Sequence, residues 1–331
     1  MSTAEAACYS TPEESGLRVE TLPFERIPHQ SRLFLDYLKD PVALRNFYPS
    51  AVRFHHELQQ RVPQVLAGYQ VDRNQVADAL EAMNRRWGAP EETLNNIELL
   101  READTVAVVS GQQAGLFTGP LFTIYKAVSA VKLAGCLRQR NTKAVPLFWI
   151  AAEDHDFIEV SKAEIIGRDC QLKQVDVSTD LHREGQPVGR VVLDDSINAL
   201  IDQLFELLPN SEFADDMKAL VKNAWQPGRG YVDSFATMMT SLLGRYGLIL
   251  LDPLDPAMKK IAAPLYSAAA RQAPEIATAI EQRSRELESA GYHAQVLATA
   301  NSFPLFLHDE DGARRALVRA ENGKYQAKDS Q

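Results

Sequence analysis

Four titratable residues stand in succession at the end of an apolar run. Glu153, Asp154, His155 and Asp156 directly follow residues 145–152, whose pattern is typical of a strand buried on both faces. A histidine flanked by carboxylates can carry out general acid/base chemistry or bind a divalent metal. Since adjacent side chains point in different directions, at most two of the four are expected to share one site, and we choose Asp154 and His155 as the catalytic pair. The alternative is that a carboxylate caps the next helix while His155 packs against the loop.

A second candidate site is the glycine-bearing loop after an earlier apolar run, residues 106–109, which also has the pattern of a buried strand. Glycines at the carboxyl end of a parallel strand let backbone amides approach phosphate or carboxylate oxygens closely. The predicted binding residues are those of this loop, a lysine in the following helix and the two outer carboxylates of the first cluster: Gly111, Gln112, Gln113, Gly115, Thr118, Gly119, Lys126, Glu153 and Asp156. We assign no metal ligands.

The helix after this loop is predicted over residues 121–137. Thr118 or Gly119 is expected to be its N-cap, with Pro120 in the first turn, so that free amides and the positive helix end face the ligand. The glycine spacing matches neither the Walker pattern nor G-x-G-x-x-G, which argues against an ordinary P-loop or NAD-binding protein. A tight turn whose glycines serve only packing, and a solvated Lys126, remain the alternatives.

Both loops require a parallel sheet to bring them together. Strands are predicted at residues 105–109, 145–152 and 247–251, and helical periodicity dominates residues 31–104. The expected fold class is α/β, with a parallel-sheet core, an N-terminal helical layer and an inserted α+β connecting region. The expected divisions are 1–104 for the arm and helical layer, 105–160 for the first βαβ part, 161–230 for the insertion and 231–331 for the return to the core.

The last of these divisions carries its own local signals. Asp255 and Pro256 form a good N-cap and first-turn pair for a helix. Pro264 and Pro274 are expected to break or kink that helix before it ends at Gly291. Apolar residues on either side of a turn at residues 309–312 predict a hairpin, followed by a polar end.

Composition excludes several classes of protein. The 331 residues are 45% apolar, which is enough for a substantial core, and 35 basic against 44 acidic side chains give a net charge of −9. That charge opposes generic binding to nucleic acid or to anionic lipid. Three cysteines without paired spacing, no secretion signal and no apolar run near the roughly 20 residues that span a bilayer predict a cytoplasmic protein without membrane partners.

Residues 109–126 and 145–156, read together, resemble the signature blocks of the bacillithiol biosynthesis cysteine-adding enzyme family, BshC. Residues 246–253 and 292–295 support the resemblance, which extends over nearly the whole chain. It implies a Rossmann-like core interrupted by connecting insertions, followed by a coiled coil associated with homodimers. Family members continue beyond the point where this sequence stops, so we expect a C-terminally truncated member in which a family-type dimer is in doubt.

The resemblance also implies a reaction, in which the carboxyl group of L-cysteine is joined to the amine of glucosaminyl malate in the last step of bacillithiol biosynthesis. Because amide formation from free acid and amine is unfavourable in water, the carboxylate needs activation, and ATP, with or without Mg²⁺, is the suspected cofactor. Two other functions stay open: a metal-dependent hydrolase using residues 153–156, and a nucleotide-binding fragment without catalysis.

Overall fold

The computed structural model describes residues 20–49, 52, 55–296, 301–320, 322 and 324–327. Its N-terminal layer is helical, as predicted, and consists of α1 (Arg32–Lys39), α2 (Val62–Gly68), α3 (Arg73–Arg86) and α4 (Glu91–Leu99). Asp72 begins α3 as its N-cap, because its carboxylate accepts hydrogen bonds from the backbone N–H groups of Asn74 and Gln75. Apolar residues at helical spacing, among them Leu80 and Met83, are fully buried and direct α3 into the core.

The core sheet has three parallel strands in the order β1 (Val106–Gln112), β2 (Ala144–Ile150) and β5 (Ile249–Leu251). Helix α5 (Leu121–Gln139) connects β1 to β2 and packs on both strands, while α3 and α4 pack on β5. The predicted parallel α/β core is therefore confirmed. In the central strand β2 only Trp149 is exposed, as expected for a strand covered on both faces.

Strand β1 departs from the prediction that it is buried on both faces. Val109 is 58% exposed, and burial alternates along the first part of the strand. Both β1 and β5 lie at edges of the sheet, but α3 and α4 pack on β5, whereas α5 is the main helix on β1.

The edge of β5 is completed by a side chain from the N-terminal layer. Asn84 Nδ2 donates to the carbonyl oxygen of Leu250 at 2.8 Å, and Asn84 Oδ1 accepts from the Leu250 N–H at 3.0 Å. A fully buried amide thus satisfies both backbone groups of an edge residue. This contact joins residues 166 positions apart, and no local sequence pattern predicts it.

The inserted region is α+β, as predicted. An antiparallel hairpin, β3 (Lys162–Ile166) and β4 (Leu172–Asp176), follows the short helix α6 (Phe157–Val160). Then come α7 (Ser196–Leu207), α8 (Ala214–Ala224) and α9 (Tyr231–Leu243). Trp225, Tyr231 and Phe235 anchor this region in the core, and Phe235 lies against Phe148 of β2 with ring centroids 6.3 Å apart.

Helix α10 (Pro256–Arg271) begins at the predicted N-cap, where Asp255 Oδ1 accepts from the Ala257 N–H. Pro264 does not break it, contrary to prediction: the helix continues for another two turns. Proline removes one donor, and the carbonyl left without a partner belongs to exposed Lys260, where water can replace the bond. The break falls at Gln272, and Pro274 lies in the first turn of α11 (Ala273–Ser289).

The C-terminal part is an antiparallel sheet of β6 (Ser302–His308), β7 (Arg314–Arg319) and β8 (Tyr325–Ala327). The predicted hairpin is confirmed as β6 and β7, and β8 adds a third strand where a polar end was predicted. This sheet is attached to the inserted region through Gly185, whose carbonyl accepts from the Arg314 N–H at 2.7 Å. No helix in the described part of the chain combines the length and apolar character needed to cross a bilayer.

Candidate active site

The loops after β1 and β2 meet at the carboxyl edge of the core sheet. Gln113 Nε2 donates to Asp154 Oδ2 at 2.6 Å and to Glu159 Oε2 at 3.1 Å. The two segments stay paired beyond the ends of the strands, because the Ala151 N–H donates to the Gln112 carbonyl oxygen at 2.9 Å. The two segments that the sequence indicated separately are therefore one site.

Asp154 is held as a carboxylate. Burial acts to raise its pKa, but the hydrogen bond from the Gln113 amide and those from the backbone N–H groups of Asp156 and His155 outweigh burial, and the pKa lies below its usual value. His155 Nδ1 lies 3.7 Å from Asp154 Oδ1, and the imidazole is half exposed. An ionised carboxylate beside an accessible imidazole favours the proton-accepting role of the histidine.

The four titratable residues divide between two cavities. Asp154, His155 and Asp156 line a cavity of about 580 Å³, which we call the acid–histidine cavity, together with residues of the inserted region. Three of the four therefore share one cavity, where at most two were expected. Glu153 faces the other way, into a cavity of about 350 Å³ beside the C-terminal sheet, and is ion-paired there with Lys259. Within the described residues no group of three or more His, Cys, Asp or Glu side chains is arranged to hold a metal ion.

The capping alternative for residues 153–156 explains only part of this geometry. Asp156 is the N-cap of α6 but makes no side-chain cap bond. Asp154 Oδ1 does accept from the His155 and Asp156 N–H groups, so it orders the turn. Its other oxygen is bound by Gln113, which a cap would not require.

The glycines of the first loop serve close backbone packing. A Cβ on Gly111 would lie 2.5 Å from the Trp149 carbonyl oxygen, and a Cβ on Gly115 would lie 2.5 Å from the Gly119 Cα. Neither distance leaves room for a side chain, so these positions need glycine whatever the loop binds.

The predicted N-cap of α5 is wrong. Pro120 occupies that position, without a side-chain cap bond, and Thr118 lies in a short 3₁₀ turn before it, with φ of 82°. Phe117 and Gly119 also have positive φ, so the chain turns sharply before the helix starts. Thr123, in the first turn, has a buried hydroxyl oxygen without a hydrogen-bond partner among the described residues.

Lys126 is exposed, and its ammonium group lies next to the loop. Its Nζ donates to Gln112 Oε1 at 2.6 Å and approaches the Gly111 carbonyl oxygen at 3.4 Å. Gln112 and Gln113 thus have different partners: the first holds a cation and the second holds Asp154.

Several residues that line the two cavities were not predicted as site residues, because no pattern in the neighbouring sequence indicates them. Glu159, Lys259 and His182 come from α6, α10 and the inserted region. The ring of His182 stacks on Phe157 at 5.1 Å, and its Nε2 lies 2.6 Å from the Gln186 carbonyl oxygen. Only the folded chain brings them together, because the separations along the sequence reach 106 residues.

Asp252, at the carboxyl end of β5, is a buried carboxyl group near the same edge. Burial, together with the nearby carboxylates of Asp233 and Asp255, raises its pKa to about 6 despite a hydrogen bond from the Leu254 N–H and the charge of Arg86. His293 and Gln295, by contrast, are exposed and line neither cavity.

A parallel α/β core with an acid–histidine pair and a glycine-bearing loop at its carboxyl edge defines the class of protein. Residues 17–331 match the family model described as bacillithiol biosynthesis BshC, N-terminal Rossmann-like domain. The chain belongs to this family.

Relatives that carry the name cysteine ligase BshC support the assignment. The protein from Koribacter versatilis is 39% identical over 301 residues, that from Solibacter usitatus 36% over 296 and that from Salinibacter ruber 35% over 312. These alignments cover 89 to 91% of this chain but 54 to 56% of the relatives. The chain therefore spans about half the length of the relatives it matches.

Proposed function

We propose that the chain carries the catalytic edge of a ligase that adds L-cysteine to glucosaminyl malate, forming the amide bond of bacillithiol. The observation that supports this most directly is the contact of Gln113 with Asp154, beside His155, in a chain of the BshC family. The contact joins the loop after β1 to the Asp154–His155 pair at one sheet edge, which supports a shared role for them.

His155 is the proposed general base. The amine of glucosaminyl malate must lose a proton as it attacks the activated carboxyl carbon of cysteine, from which the activating phosphate or AMP group would leave with the bonding electron pair. The half-exposed imidazole of His155 can accept that proton. Asp154, held ionised by Gln113, stabilises the imidazolium that results. The proton then leaves through the open side of the acid–histidine cavity.

The residues around the first loop offer a positive charge and hydrogen-bond donors, both of which suit the phosphates of ATP. Helix α5 has no side-chain cap. The Thr123 N–H donates to the Pro120 carbonyl oxygen at 2.8 Å, which leaves the N–H groups of Leu121 and Phe122 for a ligand, and the buried Thr123 hydroxyl has no partner in the described part of the chain. Lys126 supplies a positive charge alongside. ATP would supply the phosphoryl or adenylyl group that activates the carboxylate of cysteine.

The chain's own residues would then act on that ligand. Gln112 and Lys126 would hold it at the loop, and the amides at the start of α5 would stabilise its negative charge. The glycines keep the backbone close-packed and fix the loop in place.

The test is turnover by the purified chain with glucosaminyl malate, L-cysteine and ATP, with and without Mg²⁺, with bacillithiol detected by mass spectrometry. His155→Ala should lower the rate by about 10²- to 10⁴-fold without loss of folding stability. His293→Ala is the matched control, because His293 is exposed and lines neither cavity. Equal rates for the two variants would remove His155 from the mechanism.

Absence of product from the folded wild-type chain would point to one of the other two functions. ATP binding without product would support a nucleotide-binding fragment. Hydrolysis of an added substrate that is lost on chelation and restored by a divalent metal would support the hydrolase instead.

A further inference from the structure

The cavity into which Glu153 points has features of a ligand site that the ligase mechanism above does not use. We call it the hairpin cavity; it lies between α10 and the β6–β7 hairpin and is lined by side chains that are mostly charged or aromatic, namely Glu153, Lys259, Tyr266, Phe306, His308 and Arg314. Its volume, about 350 Å³, lies within the range of small-molecule sites. The cavity therefore has the size and the polar groups to bind a compact ligand.

Positive charge dominates this cavity. Among the described residues that line it, Lys259 and Arg314 are cations and Glu153 is the one carboxylate, and Arg190 outside the lining is close enough to act on His308. The chain as a whole has a net charge of −9. A local excess of positive charge against that background favours an anionic ligand.

Arg314 is held in place by an aromatic ring rather than by a carboxylate. Its guanidinium carbon lies 3.6 Å from the centroid of Phe306, and among the described residues no acid forms an ion pair with it. The ring fixes the plane of the guanidinium and leaves its edges available for a bidentate contact with a carboxylate or phosphate.

His308 adds a neutral hydrogen-bonding group to the same wall. Burial and the nearby cations Lys259, Arg190 and Arg314 lower its pKa, and the opposing effect of Glu153 is smaller than that of burial. The imidazole is therefore uncharged at neutral pH. An anion bound beside it would reverse the balance and raise the pKa of His308.

We propose that the hairpin cavity binds a small organic dianion, with Arg314 and Lys259 as its charged contacts and His308 as a hydrogen-bonding group. Dicarboxylates and phosphate monoesters share this chemistry. For a chain that acts on glucosaminyl malate, the two carboxylates of the malyl group are the matching ligand, and this assignment rests on the proposed function. Glu153 directly precedes Asp154, so the ligand would lie beside the catalytic loop.

The experiment measures binding of L-malate and, separately, of inorganic phosphate to the full chain by calorimetry, with the pKa of His308 followed by NMR. We expect saturable binding and a rise in the His308 pKa. Arg314→Gln should weaken binding at least tenfold, whereas Arg319→Gln, an exposed arginine at the far end of β7, should not. Thermal denaturation of both variants checks that they fold.

Each outcome decides one part of the proposal. No binding of either ligand, or equal binding by the Arg314→Gln and wild-type chains, overturns the site. Phosphate binding without malate binding keeps the dianion site and overturns the malyl assignment. Malate binding by a chain that makes no bacillithiol supports the dianion site and contradicts the proposed ligase function. An unchanged KM for glucosaminyl malate in an active Arg314→Gln variant overturns the malyl assignment alone.

Discussion

The parallel core sheet and the C-terminal antiparallel sheet have three strands each but are stabilised differently. In the core, β2 and β5 are almost fully buried and their strands pair in register without irregularity. In the C-terminal sheet no strand residue is buried, and the β6–β7 register is shifted between Ser302 and Phe306. The core depends on burial of apolar surface, whereas the C-terminal sheet depends on polar and aromatic contacts at its surface, such as Arg314 on Phe306.

The two sheets also contribute different kinds of residue to the candidate sites. The core holds the backbone of residues 111–113 and 151–154 in fixed positions, which suits a catalytic pair. The more open sheet supplies charged side chains, His308 and Arg314, to a cavity at its junction with the core.

The largest effect on stability is expected from the core sheet. Phe148→Ala removes a fully buried ring from β2, where it contacts Phe235, and should lower the free energy of unfolding by about 3 to 5 kcal/mol. Urea denaturation measures the change. A loss below about 1 kcal/mol would mean that burial does not distinguish the two sheets.

Asn84→Ala tests the polar contact at the edge of β5. The variant leaves the N–H and carbonyl of Leu250 without their partners in a buried setting, and we expect a loss of roughly 3 kcal/mol. Asn95→Ala, at an exposed position of α4, is the matched control and should stay within about 0.5 kcal/mol. Equal stabilities for the two variants would show that water replaces the Asn84 amide.

Asp252→Asn tests how much burial of an ionised carboxylate at the end of β5 lowers the free energy of unfolding. Because the folded-state pKa of about 6 is above the ordinary aspartate value of 3.8, the folded chain binds the proton more tightly. Stability from this group is therefore present below pH 4 and lost as pH rises through 6. The variant should gain about 2 kcal/mol over wild type at pH 7.5, with the difference shrinking toward pH 4. Denaturation at several pH values measures it, and a difference independent of pH would contradict the assignment.

The smallest effect is expected from the C-terminal sheet. Phe306→Ala removes a ring that is 54% exposed and contacts Arg314, and the change in unfolding free energy should be below about 1 kcal/mol. Measured beside Phe148→Ala, it compares the same substitution in the two sheets. A loss as large as that of Phe148→Ala would remove the contrast between them.

Local patterns predicted the core sheet, the C-terminal hairpin and the helices, because apolar runs, periodicity and turn residues act over short distances. The Asp255 N-cap is one example, since the cap and the amide that it binds are two residues apart. The prediction for Pro264 was wrong because the cost of a missing hydrogen bond depends on solvent access at Lys260, which the sequence does not show.

The candidate site was predictable only in part for the same reason. Strand ends indicated which loops meet, but the partners of Asp154 and Glu153 lie 41 and 106 residues away. Adjacent side chains were expected to point in different directions, and Glu153 does point away from the other three, but those three share one cavity where at most two were expected. The second cavity depends on β6 and β7, and no residue near Glu153 in the sequence indicates where these strands lie.

The contact between Asn84 and Leu250 also affects the order of events during synthesis. At about 5 to 20 residues per second, the ribosome needs roughly 10 to 30 s to add the 166 residues that separate the two partners. For the last 99 residues of that interval, from Ile150 at the end of β2 to Ile249 at the start of β5, the outer edge of β2 is without β5, and the nascent chain presents an open strand edge of the kind that invites wrong pairing. This protein would therefore need a chaperone that shields nascent chains mainly during that interval.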